Sequence, residues 1–401
     1  MRKDTHHHRS RTLLVVLFLL VSFANSTYSQ DLKIHTIHVH GDAHVIQTPG
    51  GKTMLLDAGS PWHVNRIKKF IDSLGIARID VALLTHFHGD HYGGFAGEEG
   101  ILATYPVSEF YGVEPGPSIR IFQQHIQPYS KNSQIKYQVI KKGDFIDLDP
   151  ELEIEVLYPP DSYPETDGNN GSAACMITDV RNGRKFLYMG DGMEKQARDL
   201  VDLYHEALRC DVLKYGHHLQ YAHDDDFSTG TFLEITQPEF GIITKHKMSK
   251  PGPVYHDLTI HSLRKLYDYT WGSETGLKSF HLAKHGHITV TCAEDGEITM
   301  SASKGNLYIP PKIVATEKTG LKEGTVTLKL ALSKPTWDHY VEEIRGCYSF
   351  DGGQTWNAFF YPDKQLEITE TTTVMYEARD IYGNRSETKT VKISVPAPIM
   401  E

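Results

Sequence analysis

Residues 85–91 read Thr85-His86-Phe87-His88-Gly89-Asp90-His91 and end the apolar run Val81–Thr85. Three imidazoles and one carboxylate are packed into one short turn. Neutral imidazole nitrogen and carboxylate oxygen are the donors that zinc and similar first-row ions accept. One regular element cannot surround an ion, so donors gather where a strand ends and a tight loop turns them inward, and Gly89 suits such a loop. The apolar, β-branched run before it has the character of a buried strand. The stretch reads as a strand delivering a metal-binding turn.

A single turn supplies at most part of two coordination shells, so the other donors must come from elsewhere. Gly190-Asp191 closes the strand expected at Lys185–Met189, and His217-His218 follows the one expected at Asp211–Tyr215. Three strand ends in one α/β sheet would open on one rim, where such sheets bind ligands. On this reading His86 and His88 hold a first ion, Asp90, His91 and His217 hold a second, and Asp191 bridges them. Two ions roughly 3.5–4 Å apart share a hydroxide and stabilise both attacking and leaving oxygens. The chemistry expected is hydrolysis by that metal-bound hydroxide, with Asp90 in the catalytic set. His218 and His223 are placed to donate a proton to a leaving group, and Tyr221 to contact substrate. His35, His38, His40, His44, His281, His285 and His287 read as structural.

From Asp31 to Ser303 the pattern is mixed α and β. Lys33–His40, Ala43–Thr48 and Thr53–Leu56 read as strands. Trp62–Leu74 places Val64, Ile67, Phe70, Ile71 and Leu74 on one helical face, ended by Gly75. Asn182-Gly183 and Asp295-Gly296 mark two-residue hairpins. Glu194–Leu208 and Phe227–Ile235 read as helices and Phe240–Thr244 as a strand. Residues 309–396 change texture: Thr325–Leu332, Val341–Ser349, Ala358–Tyr361, Thr373–Asp380 and Thr388–Val395 are short strands with turn residues between them. That predicts a separate all-β sandwich.

The stretches Val39-His-Gly-Asp-Ala-His-Val-Ile-Gln-Thr48, Leu55-Leu-Asp-Ala-Gly59, Asn169-Asn-Gly-Ser172, Leu187-Tyr-Met-Gly-Asp191 and Asp211-Val-Leu-Lys-Tyr-Gly-His-His218 join the His86–His91 turn in one order. With them the chain resembles the metallo-β-lactamase superfamily, and within it the hydrolase domain of the bacterial competence (DNA-uptake) protein, over residues 31–303. The resemblance implies a four-layer αβ/βα fold, zinc or manganese, phosphodiester hydrolysis, and a role for Asp57 in bracing the metal loop. It also implies His246 as a candidate further ligand and His256 as a residue that orients substrate. Many members place a ligating histidine between the first cluster and the bridging aspartate; here that interval holds only His125. The competence-type Asn/Ser segment is matched by Asn169, Asn170 and Ser172, weaker donors, so the first ion is expected to be weakly held. Leu219 and Gln220 replace the family's small residues after the histidine pair. No counterpart of its channel-forming membrane part is seen, so DNA uptake is not carried over. The segments Tyr348–Trp356 and Ala378–Asn384 resemble bacterial immunoglobulin-like repeats, expected to be a spacer or adhesion module with Trp356 available to carbohydrate.

Charge and the N-terminus bound the setting. Arg2, Lys3, Arg9 and Arg11 precede an apolar run to Phe23 that is short for a membrane span, and small residues follow. Residues 1–29 therefore read as a signal peptide, and the protein as periplasmic or extracellular. A formal charge of −10 argues against a long nucleic-acid footprint, whereas a small phosphoester held at metal ions fits. The partners expected are a small-molecule or cell-surface substrate. Four cysteines with no CxxC exclude a thiolate metal site and predict no bridge or one. Two alternatives stand beside the phosphodiesterase: a carboxylic ester or lactone hydrolase on the same scaffold, and a binding or adhesion protein whose hydrolase site has lapsed.

Overall fold

The computed structural model describes residues 30–132, 135–160, 168–219, 226–245, 256–273, 276–304, 311–320, 322, 324–333 and 344–396. The expected signal peptide, Tyr221, His223 and His246 lie outside these residues.

Strands β1 (Leu32–Thr36), β2 (His44–Gln47), β3 (Thr53–Leu56), β4 (Ile79–Leu84), β5 (Val107–Gly112) and β6 (Tyr137–Val139) run in sequence order across one sheet. A second sheet follows, made of β7 (Leu152–Tyr158), β8 (Ala174–Asp179), β9 (Arg184–Tyr188), β10 (Val212–Lys214), β11 (Phe240–Ile243) and β12 (Lys278–His281). The hairpin β13 (Ile288–Cys292) and β14 (Ile298–Ala302) returns to the free edge of β1. The antiparallel hairpin β8–β9 forms where Asn182-Gly183 predicts it, but its loop is the four residues 180–183 between Asp179 and Arg184 rather than two, with Gly183 alone left-handed at φ +79°.

Side-chain alternation explains how the two sheets divide the apolar residues. Phe186, Tyr188, Val212 and Ile242 point into a core shared with Ile34, Val45, Met54 and Leu83 of the first sheet. Their neighbours Leu187, Met189, Leu213 and Ile243 point to a second core. Helix α1 (Val64–Ser73) seals the first sheet with Ile67 and Ile71. Helix α2 (Gly89–Tyr92) is the short turn after His88, which Gly89 opens without a left-handed backbone. Helix α3 (Glu194–Tyr204) seals the second sheet with Ala197, Leu200 and Val201. Layers therefore run helix, sheet, sheet, helix. Helix α4 (His256–Gly272), not expected from sequence, joins that outer layer through Leu263, Leu266 and Tyr267.

Beyond Ala302 the described residues are all β. Strands β15 (Ile313–Thr319), β16 (Val326–Leu332) and β19 (Asp363–Ile368) form one antiparallel sheet. Strands β17 (Ile344–Ser349), β18 (Asn357–Phe360), β20 (Thr372–Asp380) and β21 (Lys389–Ile393) form the other. Leu328, Leu330, Ile344, Val374, Ala378 and Ile393 fill the space between them. The polar edge strands β15 and β19 were not expected.

The two halves share a core. Ile381 and Tyr382, in the turn after β20, are buried among the residues under α4 and the second sheet. Trp271 Nε1 donates to Asp380 O at 2.7 Å, and Tyr267 OH meets Cys347 Sγ at 3.3 Å. Arg379 lies between the rings of Trp271 and Trp356, 4.8 and 4.9 Å from their centroids. The Trp356 ring, half-buried, thus has Arg379 near it on the junction side. All four cysteines are free and buried. Among the described residues no helix is long and apolar enough to cross a membrane.

Candidate metal centre

Asp57 follows β3 with φ at +56°, a left-handed backbone that costs a non-glycine residue energy and turns its carboxylate under the histidine-rich loop. Its Oδ1 accepts from Thr85 N at 2.8 Å and its Oδ2 from Thr85 Oγ1 at 2.6 Å. The same Oδ2 meets His91 Nδ1 at 2.7 Å. One carboxylate therefore fixes the start of the turn and the tautomer of His91.

Gly190 takes φ +52°, and a Cβ there would lie 2.8 Å from Ser172 Cβ and 3.0 Å from Thr85 Cβ, so only glycine lets β9 deliver Asp191 beside the loop. After β10 the backbone turns left-handed at His217, His218 and Leu219, with φ of 42°, 55° and 62°. Such residues cost about 1–3 kcal/mol each and gather where function over-determines the structure. The turn buries His218 and Leu219.

Three imidazoles converge with the same orientation. His86 Nδ1 meets Thr85 Oγ1 at 3.2 Å, and His218 Nδ1 meets Thr244 Oγ1 at 2.8 Å and Asp42 Oδ1 at 3.2 Å. With Nδ1 engaged on His86, His91 and His218, each Nε2 faces inward, buried and without a hydrogen-bond partner, as is Asp191 Oδ1. Asp191 Oδ2 stands 3.1 Å from His91 Nε2, 3.5 Å from His218 Nε2 and 3.7 Å from His86 Nε2. Asp90 Oδ2 lies 3.5 Å from His218 Nε2. Donor atoms of His86, His88 and Asp191 fall within 4.8 Å of one another, as do those of Asp42, His91, Asp191 and His218.

Buried polar atoms are normally satisfied; three nitrogens without a hydrogen-bond partner, gathered 3.1–3.7 Å from one carboxylate oxygen, make a cage for cations. Electrostatics agree. Burial opposes ionisation of Asp191, but His218 and His91 outweigh it and hold the carboxyl well below its usual range. Burial likewise lowers His91 and His218, and Asp191 overcomes it to hold both well above the usual histidine value. Burial, reinforced by His91, pushes His86 well below that value. Two histidines held protonated by ionised carboxylates form a centre in which a divalent cation, on binding, would take the place of the two protons.

Several expectations are corrected. The donors come from two facing sheets, since β4 lies in the first and β9 and β10 in the second. His218, not His217, joins the convergent set, while His217 Nε2 approaches Asn169 Nδ2 at 3.3 Å. A buried His218 held at Nδ1 occupies a ligand position, which replaces its expected role as proton donor. Asn170 Oδ1 accepts from Met193 N at 3.0 Å and Gln196 N at 3.3 Å, capping α3. Ser172 Oγ accepts from Asp191 N at 3.1 Å. Both shape the Asp191 loop and neither faces the cage. His125 stacks on Tyr92, 6.2 Å between centroids. His256 opens α4, and only its backbone is described. Sequence reading missed Asp42, Thr244 and Lys214 as parts of the site. A lysine inside the apolar strand Val212–Lys214 was a signal, because buried lysine requires a partner.

The fold and this cage define a metal-dependent hydrolase with two sheets meeting at one metal edge. Residues 37–266 match the metallo-beta-lactamase superfamily model, more than half of the chain, and the protein belongs to that superfamily. Over 278 residues the chain is 25% identical to ComE operon protein 3 of Bacillus subtilis, covering 63% of this chain and 33% of that protein. It is 28% identical over 159 residues to a UPF0173 metal-dependent hydrolase of Cupriavidus metallidurans, covering 36% of this chain and 51% of that one. The chain thus spans about a third and about half of these relatives' lengths. Among solved structures it is similar to the metallo-beta-lactamase fold protein YhfI of Bacillus subtilis, with a TM-score of 0.39 and 14% identity, covering 67% of this chain and 99% of that one. Zn(2+)-bound PqqB of Methylobacterium extorquens matches with a TM-score of 0.33 and 15% identity, covering 64% and 85%.

Proposed function

We propose that this protein is an exported phosphodiesterase that uses two divalent ions, zinc or manganese, on a small or cell-surface substrate. The observation that carries the reading is the set of inward, unpartnered Nε2 atoms on His86, His91 and His218 around Asp191. His86, His88 and Asp191 would hold one ion, and Asp90, His91, His218 and Asp191 the other. When bound, such ions act as Lewis acids and lower the pKa of a coordinated water from 15.7 to about 7.

The chain's own residues do the rest. Asp57 and Thr244 hold His91 and His218 with Nε2 inward, so the donors are preorganised. A cleft of about 380 Å³ opens beside His86, lined by Phe87, Val113, Glu114, Ile140, Lys141 and the Pro159-Pro160 step. Its size suits a small molecule or a chain end. The lining carries both a cation, Lys141, and a carboxylate, Glu114, and the acidic chain favours a short ligand over a long nucleic acid. The basic and apolar N-terminal pattern supports export.

The apolar share of that lining favours a second reading, a carboxylic ester or lactone hydrolase. The near-complete donor set gives the lapsed-site reading less support. Elemental analysis after dialysis tests the foundation: two equivalents are expected, and none would overturn the enzyme. Turnover of bis-p-nitrophenyl phosphate against a lactone panel then separates the two chemistries. Hydrolysis of lactones alone would reject the phosphodiesterase.

A further inference from the structure

Lys214 is fully buried, on the side of β10 that faces the first sheet. Burying an ammonium is costly unless it is paired and hydrogen-bonded. Here its Nζ donates to Gly190 O at 2.6 Å, pairs with Asp42 and lies 3.9 Å from Asp191 Oδ1. Asp42 is also fully buried, and its Oδ1 stands 3.2 Å from His218 Nδ1. The Asp42 loop is locked to the histidine-rich turn as well. Asp42 N donates to Asp90 O at 3.2 Å, and a Cβ on Gly41 would fall 1.7 Å from that same oxygen.

One ammonium is therefore tied to all three loops that carry metal donors, directly to the Asp191 turn, through Asp42 to the histidine-rich turn, and along its own strand to His218. It grips the Gly190-Asp191 turn through a carbonyl. It holds the Asp42 loop that rides on Asp90. It sits on the strand that runs into His218. By neutralising Asp42 it also keeps that carboxylate at the rear of His218, on Nδ1, rather than among the atoms facing the cage.

We propose that Lys214 is a positioning residue whose ammonium, acting with Asp42, holds Asp191 and His218 in ligating geometry and sets the affinity of the second ion position. The inference rests on the reading of this site as a metal centre. It assigns work to a residue that itself binds neither ion nor substrate.

The test removes the pair together, since Lys214→Met alone would strand a buried aspartate. The double variant Asp42→Asn with Lys214→Met is purified free of metal, and its fold is checked by circular dichroism and thermal unfolding. Zinc and cobalt(II) are then titrated against a chromogenic chelator, and the cobalt d–d bands report the geometry of each equivalent. The expected result is a folded variant in which the equivalent that uses both His218 and Asp191 is weakened by roughly 10–100-fold, the range for lost support of a ligand, and the one that shares only Asp191 is weakened less. Two equivalents with wild-type affinity and spectra would overturn the proposal. If the double variant does not fold, Asp42→Asn with Lys214→Gln carries the same measurement, because it keeps hydrogen-bonding groups at both positions and removes only the two charges; unchanged affinity there overturns it equally. Wild-type protein that takes up no metal would defeat the metal reading itself, and this inference with it.

Discussion

Replacing Tyr382 by alanine should destabilise the hydrolase half, although Tyr382 belongs by sequence to the C-terminal sandwich. Its side chain is 3% exposed and sits in the core beneath α4 with Leu277 and Ile381. Lys284 Nζ lies 4.3 Å from its ring centroid, and the His285 ring packs edge-on at 5.5 Å. An aromatic ring buries about 150–250 Å², and at roughly 25 cal/mol per Å² its loss costs about 4–6 kcal/mol. Measured aromatic-to-alanine changes run about 3–5 kcal/mol. At roughly 2 °C per kcal/mol for a unit of this size, the transition should fall by about 6–10 °C. Differential scanning calorimetry reads this directly, and a chelator identifies the hydrolase transition as the one that moves when metal is withdrawn. If Tyr382→Ala shifts only a second, chelator-insensitive transition, the shared core is not energetically real and the sandwich is an independent module.

His218→Ala should remove one equivalent of metal and nearly all turnover, whereas His217→Ala should keep both equivalents; elemental analysis of the pair decides, and the reverse pattern would restore the sequence expectation. Asp57→Asn leaves His91 Nδ1 without its carboxylate, so metal affinity should drop roughly 10–100-fold in a chelator competition, and unchanged affinity would deny Asp57 its bracing role. Burial, aided by His38, Arg66 and His35, pushes His287 down to about 4. A histidine with a depressed folded-state pKa favours the native state above its unfolded value of about 6.5 and progressively less as pH falls toward 4. Urea unfolding between pH 7 and 4 should therefore show falling stability that His287→Gln flattens; parallel profiles would exclude His287 as a contributor.

Much of this protein was legible along the chain because its signals are local. The turn at His86–His91 names its own chemistry, since no other use gathers those donors at a strand end. Gly183 and Gly296, the periodicity of Ile67 and Ile71, and the β-rich texture past residue 309 are read from neighbours in sequence. Strands β5, β6, β7 and β12, helix α4 and the edges β15 and β19 were less legible. Some are buried between layers, so their pattern lacks a clean polar face, and others are edge strands whose exposed side is polar.

What sequence determined by itself was the turn suited to a metal ion and most of the donors from which the candidate site is drawn. The choice among those donors belonged to the tertiary structure. Whether His217 or His218 faces Asp191 depends on three consecutive left-handed residues, which no propensity favours and which persist only because surrounding packing holds them. The burial of Lys214 against Asp42 depends on a strand of the second sheet meeting the loop between β1 and β2 of the first, 172 positions away in sequence. The docking of Tyr382 depends on a helix that the hydrolase supplies. Long-range geometry decides such contacts because their cost or benefit exists only once water has been excluded from both sides.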